Sequence, residues 1–168
     1  MKSLLLSIGA IAAAASLSVG LGSASASSHS SSAAAKVAVT SSPLGRILVD
    51  GRGHTLYLFA KDKHGKSSCT GKCAAFWPPL LASGRTLASG GAKTSLLGTT
   101  KRSDGRLQVT YNHHPLYTFV KDTRKGQTNG EELNVFGAEW YAVSPAGAKV
   151  EKKATDSSPD PTSGGYGY

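Results

Sequence analysis

Carboxylates are scarce in this chain of 168 residues: Asp and Glu total 10 against 19 Lys and Arg. Cysteine is scarcer, with two copies, and there is one Met. These shortages close off several classes of protein. Two cysteines make a local clip and not a disulfide framework, and no further soft ligands lie at a zinc-site spacing. Charged residues are only 17% of the chain, which argues against a highly charged disordered polymer. Catalytic signatures are missing as well. There is no Gly-x-Ser-x-Gly elbow, no His-Glu-x-x-His, no phosphate loop and no reactive-cysteine motif. After the N-terminal segment, no apolar run is long enough to span a bilayer.

The N-terminal segment carries an export signal. Lys2 precedes an apolar stretch through Leu4, Leu5, Leu6, Ile8, Ala10 to Ala15, Leu17, Val19 and Leu21. Ala24-Ser25-Ala26 follows as a small-x-small cleavage pattern, so residues 1–26 read as a signal peptide, with a retained transmembrane helix the weaker reading. No cysteine sits at the cleavage site for lipid attachment, so the expected location is secreted or cell wall-associated, without a lipid anchor. In an oxidising compartment Cys69 and Cys73 are expected to form a disulfide. Its loop is tiny, so chain entropy gives it only about 2 kcal/mol. Residues 27–36 read as a Ser/Ala linker and residues 152–168 as a disordered tail without apolar periodicity. One domain of ordinary size, residues 37–151, remains.

That domain contains a duplication. Val49 to Asp62 matches Val109 to Asp122 at an offset of 60, with Val, His, Leu, Tyr, Phe, Lys and Asp coinciding. Trp77 and Trp140 follow the two copies, which span about residues 44–82 and 99–145. Each copy reads as a β-hairpin. In the first, Ile47-Leu48-Val49 leads through Asp50-Gly51-Arg52-Gly53 into Thr55–Phe59. In the second, Leu107–Tyr111 leads through Asn112-His113 into the segment 115–120. Tyr57 and Phe59 share one face of their strand, Leu56 and Leu58 the other, so that strand is expected to be buried on both sides. Val135 and Trp140 to Val143 suggest a last strand, and a short turn of helix is allowed at Cys69–Phe76, ended by Trp77-Pro78-Pro79. The expected fold is therefore mainly β: two related antiparallel modules in one small domain, with at most one short helix.

The repeated motif is Tyr57, Phe59 and Asp62 in the first copy and Tyr117, Phe119 and Asp122 in the second. The tyrosines could face a ligand, but on an apolar strand they are expected in the core, with the hydroxyl reaching the surface or a backbone carbonyl. Asp62-Lys63-His64-Gly65 has the form of a type I turn, so the aspartates are expected to cap their own turns. A glycosidase-like pair of Asp62 and Asp122 is the weaker alternative. His54, His113 and His114, with His64 or an Asp, are candidate copper, zinc or haem ligands. Adjacent histidines in a strand point to opposite faces, so solvated turn histidines are expected instead, with no metal and no cofactor. His113 occupies a tight-turn position where positive φ costs energy outside Gly, Asn and Asp.

The motifs Leu56-Tyr57-Leu58-Phe59-Ala60-Lys61-Asp62, Cys69-Thr70-Gly71-Lys72-Cys73 and Phe76-Trp77-Pro78-Pro79-Leu80 resemble the bacterial secreted-repeat family, many of whose members are predicted lipoproteins. Gln108–Asn112, Pro115-Leu116-Tyr117 and Asn129-Gly130 to Trp140 resemble its second half, so the likeness covers about residues 44–144. It implies an exported two-repeat β protein of unestablished function, and no catalytic residues carry over. The chain departs from the pattern in lacking a lipidation cysteine and in placing His113 where the family usually has Gly. The expected function is a non-catalytic, envelope-associated binding or structural protein. Lys61, Lys63, Lys66, Lys72, Lys121, Arg124 and Lys125 point to an anionic wall polymer or membrane surface as partner, and export argues against nucleic acid.

Overall fold

The computed structural model describes residues 34–152. The expected signal peptide, most of the expected linker and the tail beyond Lys152 lie outside the described residues. The fold starts slightly ahead of residue 37: Ala35 is buried, and the first strand, β1 (Lys36–Ser42), begins on the last residue assigned to the linker. Those residues belong to the fold because both edges of β1 are paired. On one side it runs antiparallel to β2 (Gly45–Asp50), with Val39 opposite Leu48. On the other it runs parallel to β4 (Leu87–Ala88).

Between them come β3 (Tyr57–Phe59) and α1 (Lys72–Phe76). After β4 follow a 3-10 turn at Thr94–Leu96, β5 (Leu97–Lys101), β6 (Leu107–Tyr111), β7 (His114–Pro115), β8 (Asn134–Val135) and β9 (Ala138–Ala142). The domain is thus mainly β, with three three-stranded sheets ordered β2-β1-β4, β3-β9-β8 and β5-β6-β7. α1 is the only α-helix among the described residues. It starts inside the Cys69–Cys73 disulfide loop and stops at Trp77, because Pro78 restricts the residue before it and has no N–H for another helical bond.

The two hairpins close differently. In the first, the Asp50 N–H donates to the His54 carbonyl at 2.8 Å, leaving three residues in the turn. In the second, Tyr111 pairs directly with His114, and the two turn residues Asn112 and His113 have φ of 46° and 65°. One residue is lost, so the offset between copies is 60 after the turn but 61 before it. Leu56 donates to the Leu48 carbonyl, whereas Leu116 donates to that of Val109. The match of Val49 with Val109 in sequence is therefore not an equivalence in space; Leu48 is the counterpart of Val109.

The copies meet at the motif tyrosines. The Tyr57 N–H donates to the Tyr117 carbonyl at 2.8 Å and the Tyr117 N–H to that of Tyr57 at 3.0 Å. Two residues that exchange both bonds in an antiparallel pair are related by a local two-fold axis. Since they are the same residue of the repeat, that axis relates the whole copies. Each copy then lends its closing segment to the other. β9, from the second copy, pairs with β3, placing Trp140 opposite Phe59. Trp77-Pro78-Pro79, from the first, runs beside Tyr117-Thr118-Phe119, with Thr118 N–H donating to the Pro78 carbonyl at 2.9 Å. Alternation along β3 sends Tyr57 and Phe59 into one core layer, with Trp77, Tyr117, Phe119 and Trp140. Leu56 and Leu58 enter a second layer with Val37, Leu48, Val109, Tyr111 and Leu116.

Candidate functional site

The residues with the most specific chemistry converge on this two-fold axis. Trp77 and Trp140 stack face to face, centroids 3.9 Å apart and planes 3° from parallel. Phe59 stacks on the outer face of Trp140 at 4.1 Å and Phe119 on that of Trp77 at 4.2 Å. The result is a column, Phe59–Trp140–Trp77–Phe119, in which every stacking contact joins one copy to the other. Tyr57 and Tyr117 meet the column edge-on, at 5.3 Å to Trp77 and 5.1 Å to Trp140. Such contacts contribute about 0.5–1.5 kcal/mol per pair beyond burial.

The tyrosine hydroxyls also cross between copies. Tyr57 Oη donates to Asp122 Oδ2 at 2.6 Å, and Tyr117 Oη donates to Asp62 Oδ2 at 2.6 Å. The aspartates were expected to finish their own turns, and the tyrosines to reach the surface or a carbonyl; instead each Tyr–Asp pair links the two repeats. Each carboxylate also holds the loop behind it. Asp62 Oδ1 accepts from the N–H and hydroxyl of Ser68, and Asp122 Oδ1 accepts from the N–H of Asn129. Burial raises both tyrosine hydroxyls well above the usual phenol range, and the adjacent carboxylate adds to this, so both stay protonated as donors. Burial also raises Asp62 and Asp122, while the bonds they accept pull the other way. Both tyrosines are fully buried.

With the duplicated motif so placed, comparison with known families is informative. The family model described as a secreted repeat of unknown function matches twice, over residues 38–81 and 98–144. The chain belongs to this secreted-repeat family. No curated protein and no solved structure matches it. The two matched segments are the two copies that interlock at Tyr57 and Tyr117, so in this chain each match of the family model is one half of the two-fold fold. Its description supports export of the chain.

Around the shared motif lie further residues, of which the sequence had marked Gln108 and Gly130, as parts of the family motifs. Arg102 is 4% exposed and donates to Gln108 Oε1 at 2.6 Å, Ser67 Oγ at 2.8 Å and the Cys69 carbonyl at 2.7 Å. Ser67 Oγ lies 2.7 Å from the Tyr117 hydroxyl, so the network abuts the Tyr117–Asp62 pair. Gln108 in turn donates to the Leu116 carbonyl at 2.8 Å. Glu131 is buried; its Oε2 accepts the Ala142 N–H at 2.6 Å while its Oε1 has no partner, and burial pushes its carboxyl up to about 7. Gly130 passes so close to the stack that a Cβ there would lie 2.6 Å from Trp77. Nothing in the sequence distinguished Arg102 from a solvated charge, whereas Asn129-Gly130 was visible as part of the family motif.

The candidate histidines His54, His113 and His114 divide between the two hairpin turns, whereas His64 lies apart, at the tip of a turn closed by Lys63 and Lys66. There φ of 52° at His64 and 70° at Gly65 replaces the expected type I turn starting at Asp62. His54 sits in the first hairpin turn, its Nδ1 3.7 Å from Asp50 Oδ2. His113 is exposed at the tip of the second, and the half-buried His114, at the start of β7, is lowered chiefly by burial. Among the described residues no three His, Cys, Asp or Glu come together in a way that could hold a metal ion. Asp62 and Asp122 each accept the tyrosine hydroxyl of the opposite copy. No helix among the described residues is long and apolar enough to cross a membrane.

Proposed function

We propose that this chain is an exported, non-catalytic binding or structural protein of the cell envelope, engaging anionic wall polymer or a membrane surface through its basic exterior. The observation that carries the reading is the internal use of the motif. Both Tyr–Asp pairs and all four stacked rings serve the joint between repeats, and each tyrosine hydroxyl is bonded to the aspartate of the opposite copy instead of facing a substrate. A duplicated motif spent on assembly supports a scaffold more than a reaction centre.

The surface charge supports the choice of partner. Lys61, Lys63, Lys66, Lys72, Lys121, Arg124 and Lys125 are all exposed, and none forms an ion pair among the described residues. Several carboxylates that would offset them are withdrawn: Asp122 and Glu131 are buried, and Asp104, Glu132 and Glu151 already hold Arg or Lys. An excess of exposed positive charge attracts polyanions at low ionic strength and is screened within about 8 Å at physiological salt. The test is retention on immobilised anionic wall polymer. Binding at low salt that is lost as salt rises supports the reading, and absence of binding at any salt both to the polymer and to anionic vesicles removes it.

A further inference from the structure

One face of the domain exposes apolar side chains that neither core layer uses. Phe76, at the end of α1, is 47% exposed and Val120 is 46% exposed. The Val120 N–H donates to the Phe76 carbonyl at 3.1 Å, which sets the two residues side by side. The β8–β9 hairpin brings Val135 and Phe136 to the same place, with the Phe76 and Phe136 rings 6.0 Å apart. Beneath them lies an open cup of about 500 Å³, floored by Trp77, Phe119 and Leu133 and flanked by Lys121.

Phe136 is out of place by local rules. With Gly137 it forms the two-residue tip between β8 and β9, at φ of 62° and 93°. That geometry suits Asn-Gly and disfavours a bulky aromatic side chain. Packing does not explain the choice, because Phe136 stays 40% exposed. A residue both strained and exposed points to a contact outside the chain. The surrounding charge indicates its chemistry. Lys61 Nζ lies 3.4 Å from the Phe136 carbonyl, Lys121 lines the cup, and Lys72 stands one helical turn before Phe76. All three are exposed and free of ion pairs among the described residues, and no carboxylate lines the cup.

We propose that this face docks on an anionic lipid bilayer, with Phe76, Val120 and Phe136 entering the boundary between headgroups and acyl chains and Lys61, Lys72 and Lys121 meeting lipid phosphates. The inference rests on the basic-exterior reading above and selects one partner within it. A phosphate-bearing wall polymer offers charge but nowhere to bury three apolar side chains, whereas an anionic bilayer offers both.

Sedimentation of the chain as exported, with vesicles of phosphatidylglycerol and phosphatidylcholine, with pure phosphatidylcholine vesicles, and separately with soluble anionic wall polymer, tests it. Anionic vesicles are expected to bind roughly tenfold or more tightly than neutral ones. Phe136→Asn is the informative variant, since it removes the ring while fitting the turn, so folding is kept and melting does not fall. It is expected to weaken vesicle binding by roughly tenfold, leave polymer binding unchanged, and be rescued by Phe136→Trp. Lys61→Glu with Lys121→Glu is expected to abolish the preference for anionic vesicles. Parent-like vesicle binding by Phe136→Asn, or polymer binding without vesicle binding, overturns the bilayer assignment and leaves the broader reading standing. Failure to bind either polymer or vesicles removes both.

Discussion

Beside Tyr57 runs the segment Trp140-Tyr141-Ala142, and the inward-facing Ala142 N–H is accepted by the buried Glu131. Beside Tyr117 runs Trp77-Pro78-Pro79, and Pro79, the counterpart of Ala142, has no N–H to satisfy. One step along the preceding strands, Ile47 packs in the aromatic layer, while its counterpart Gln108 is buried with Arg102 as its partner. At the column itself, Trp140 Nε1 donates to the Val135 carbonyl at 3.3 Å, whereas the buried Trp77 N–H finds no acceptor. The two repeats thus agree in backbone pairing and in Tyr, Phe, Trp and Asp, and differ wherever a buried polar group needs local satisfaction. Two-fold symmetry is imposed by the groups that cross the axis and relaxed by those that do not, since each orphaned polar atom carries its own desolvation penalty.

The most severe way to break the comparison is to separate the copies. Each lacks its own strand partner and ring stack, so fragments ending or beginning between the repeats, dilute enough to stay monomeric, are expected to show no cooperative thermal transition by circular dichroism, while the joined chain does. Next in size are the column residues. Trp77→Ala and Trp140→Ala are each expected to cost about 3–5 kcal/mol in denaturant unfolding. Gly130→Ala should approach that range, because its added methyl meets Trp77 rather than open space.

Smaller effects sharpen the comparison. Tyr57→Phe combined with Asp122→Asn, and Tyr117→Phe combined with Asp62→Asn, are expected to show coupling of about 1.5–3 kcal/mol in double-mutant cycles, as for hydrogen bonds to charged groups. Cycles within a copy, Tyr57 with Asp62 or Tyr117 with Asp122, should show little. The reverse pattern would contradict the exchange of partners. Glu131 gives a pH signature found in one half only. Its folded carboxyl titrates near 7, above the ordinary 4.5, so the folded state binds the extra proton between those values. Stability should therefore fall as pH rises from about 4.5 to 7, by up to roughly 3 kcal/mol, and level off above. Glu131→Gln should flatten that slope in melting curves taken across this range. Smallest is the second turn: His113→Gly is expected to raise stability by about 0.5–1 kcal/mol, because φ of 65° suits glycine, while Gly53→Ala in the first turn lowers it.

Much of the fold could be read from the chain before any coordinates. The repeat, both hairpins, the helical turn before Trp77-Pro78 and the two-sided burial of Tyr57-Leu58-Phe59 follow from alternation and turn residues, which are local signals. The Cys69–Cys73 clip follows from compartment and spacing. β1 lay almost wholly inside the expected domain but was not read as a strand, and β4 and β5 are too short and polar to announce themselves. The exchange of tyrosine and aspartate was hidden by the symmetry itself. Asp62 lies five residues after Tyr57 and Asp122 five after Tyr117, so a local role accounts for the pattern as well as a distant one. Only the pairing of Tyr57 with Tyr117 distinguishes them, and that is a contact across 60 residues. Arg102 was invisible for another reason, standing among Lys101, Ser103 and Asp104 in what resembles a solvated bend.

The exchange of closing strands about the axis has an ancestral reading. A polypeptide carrying one copy would satisfy its tyrosine, its aspartate and its tryptophan only by meeting a twin, so it would exist folded as a homodimer with a self-complementary interface. Tandem duplication converts that encounter into an intramolecular event, independent of how dilute the molecule becomes outside the cell. Once joined, the halves were free to drift apart wherever they no longer had to match themselves.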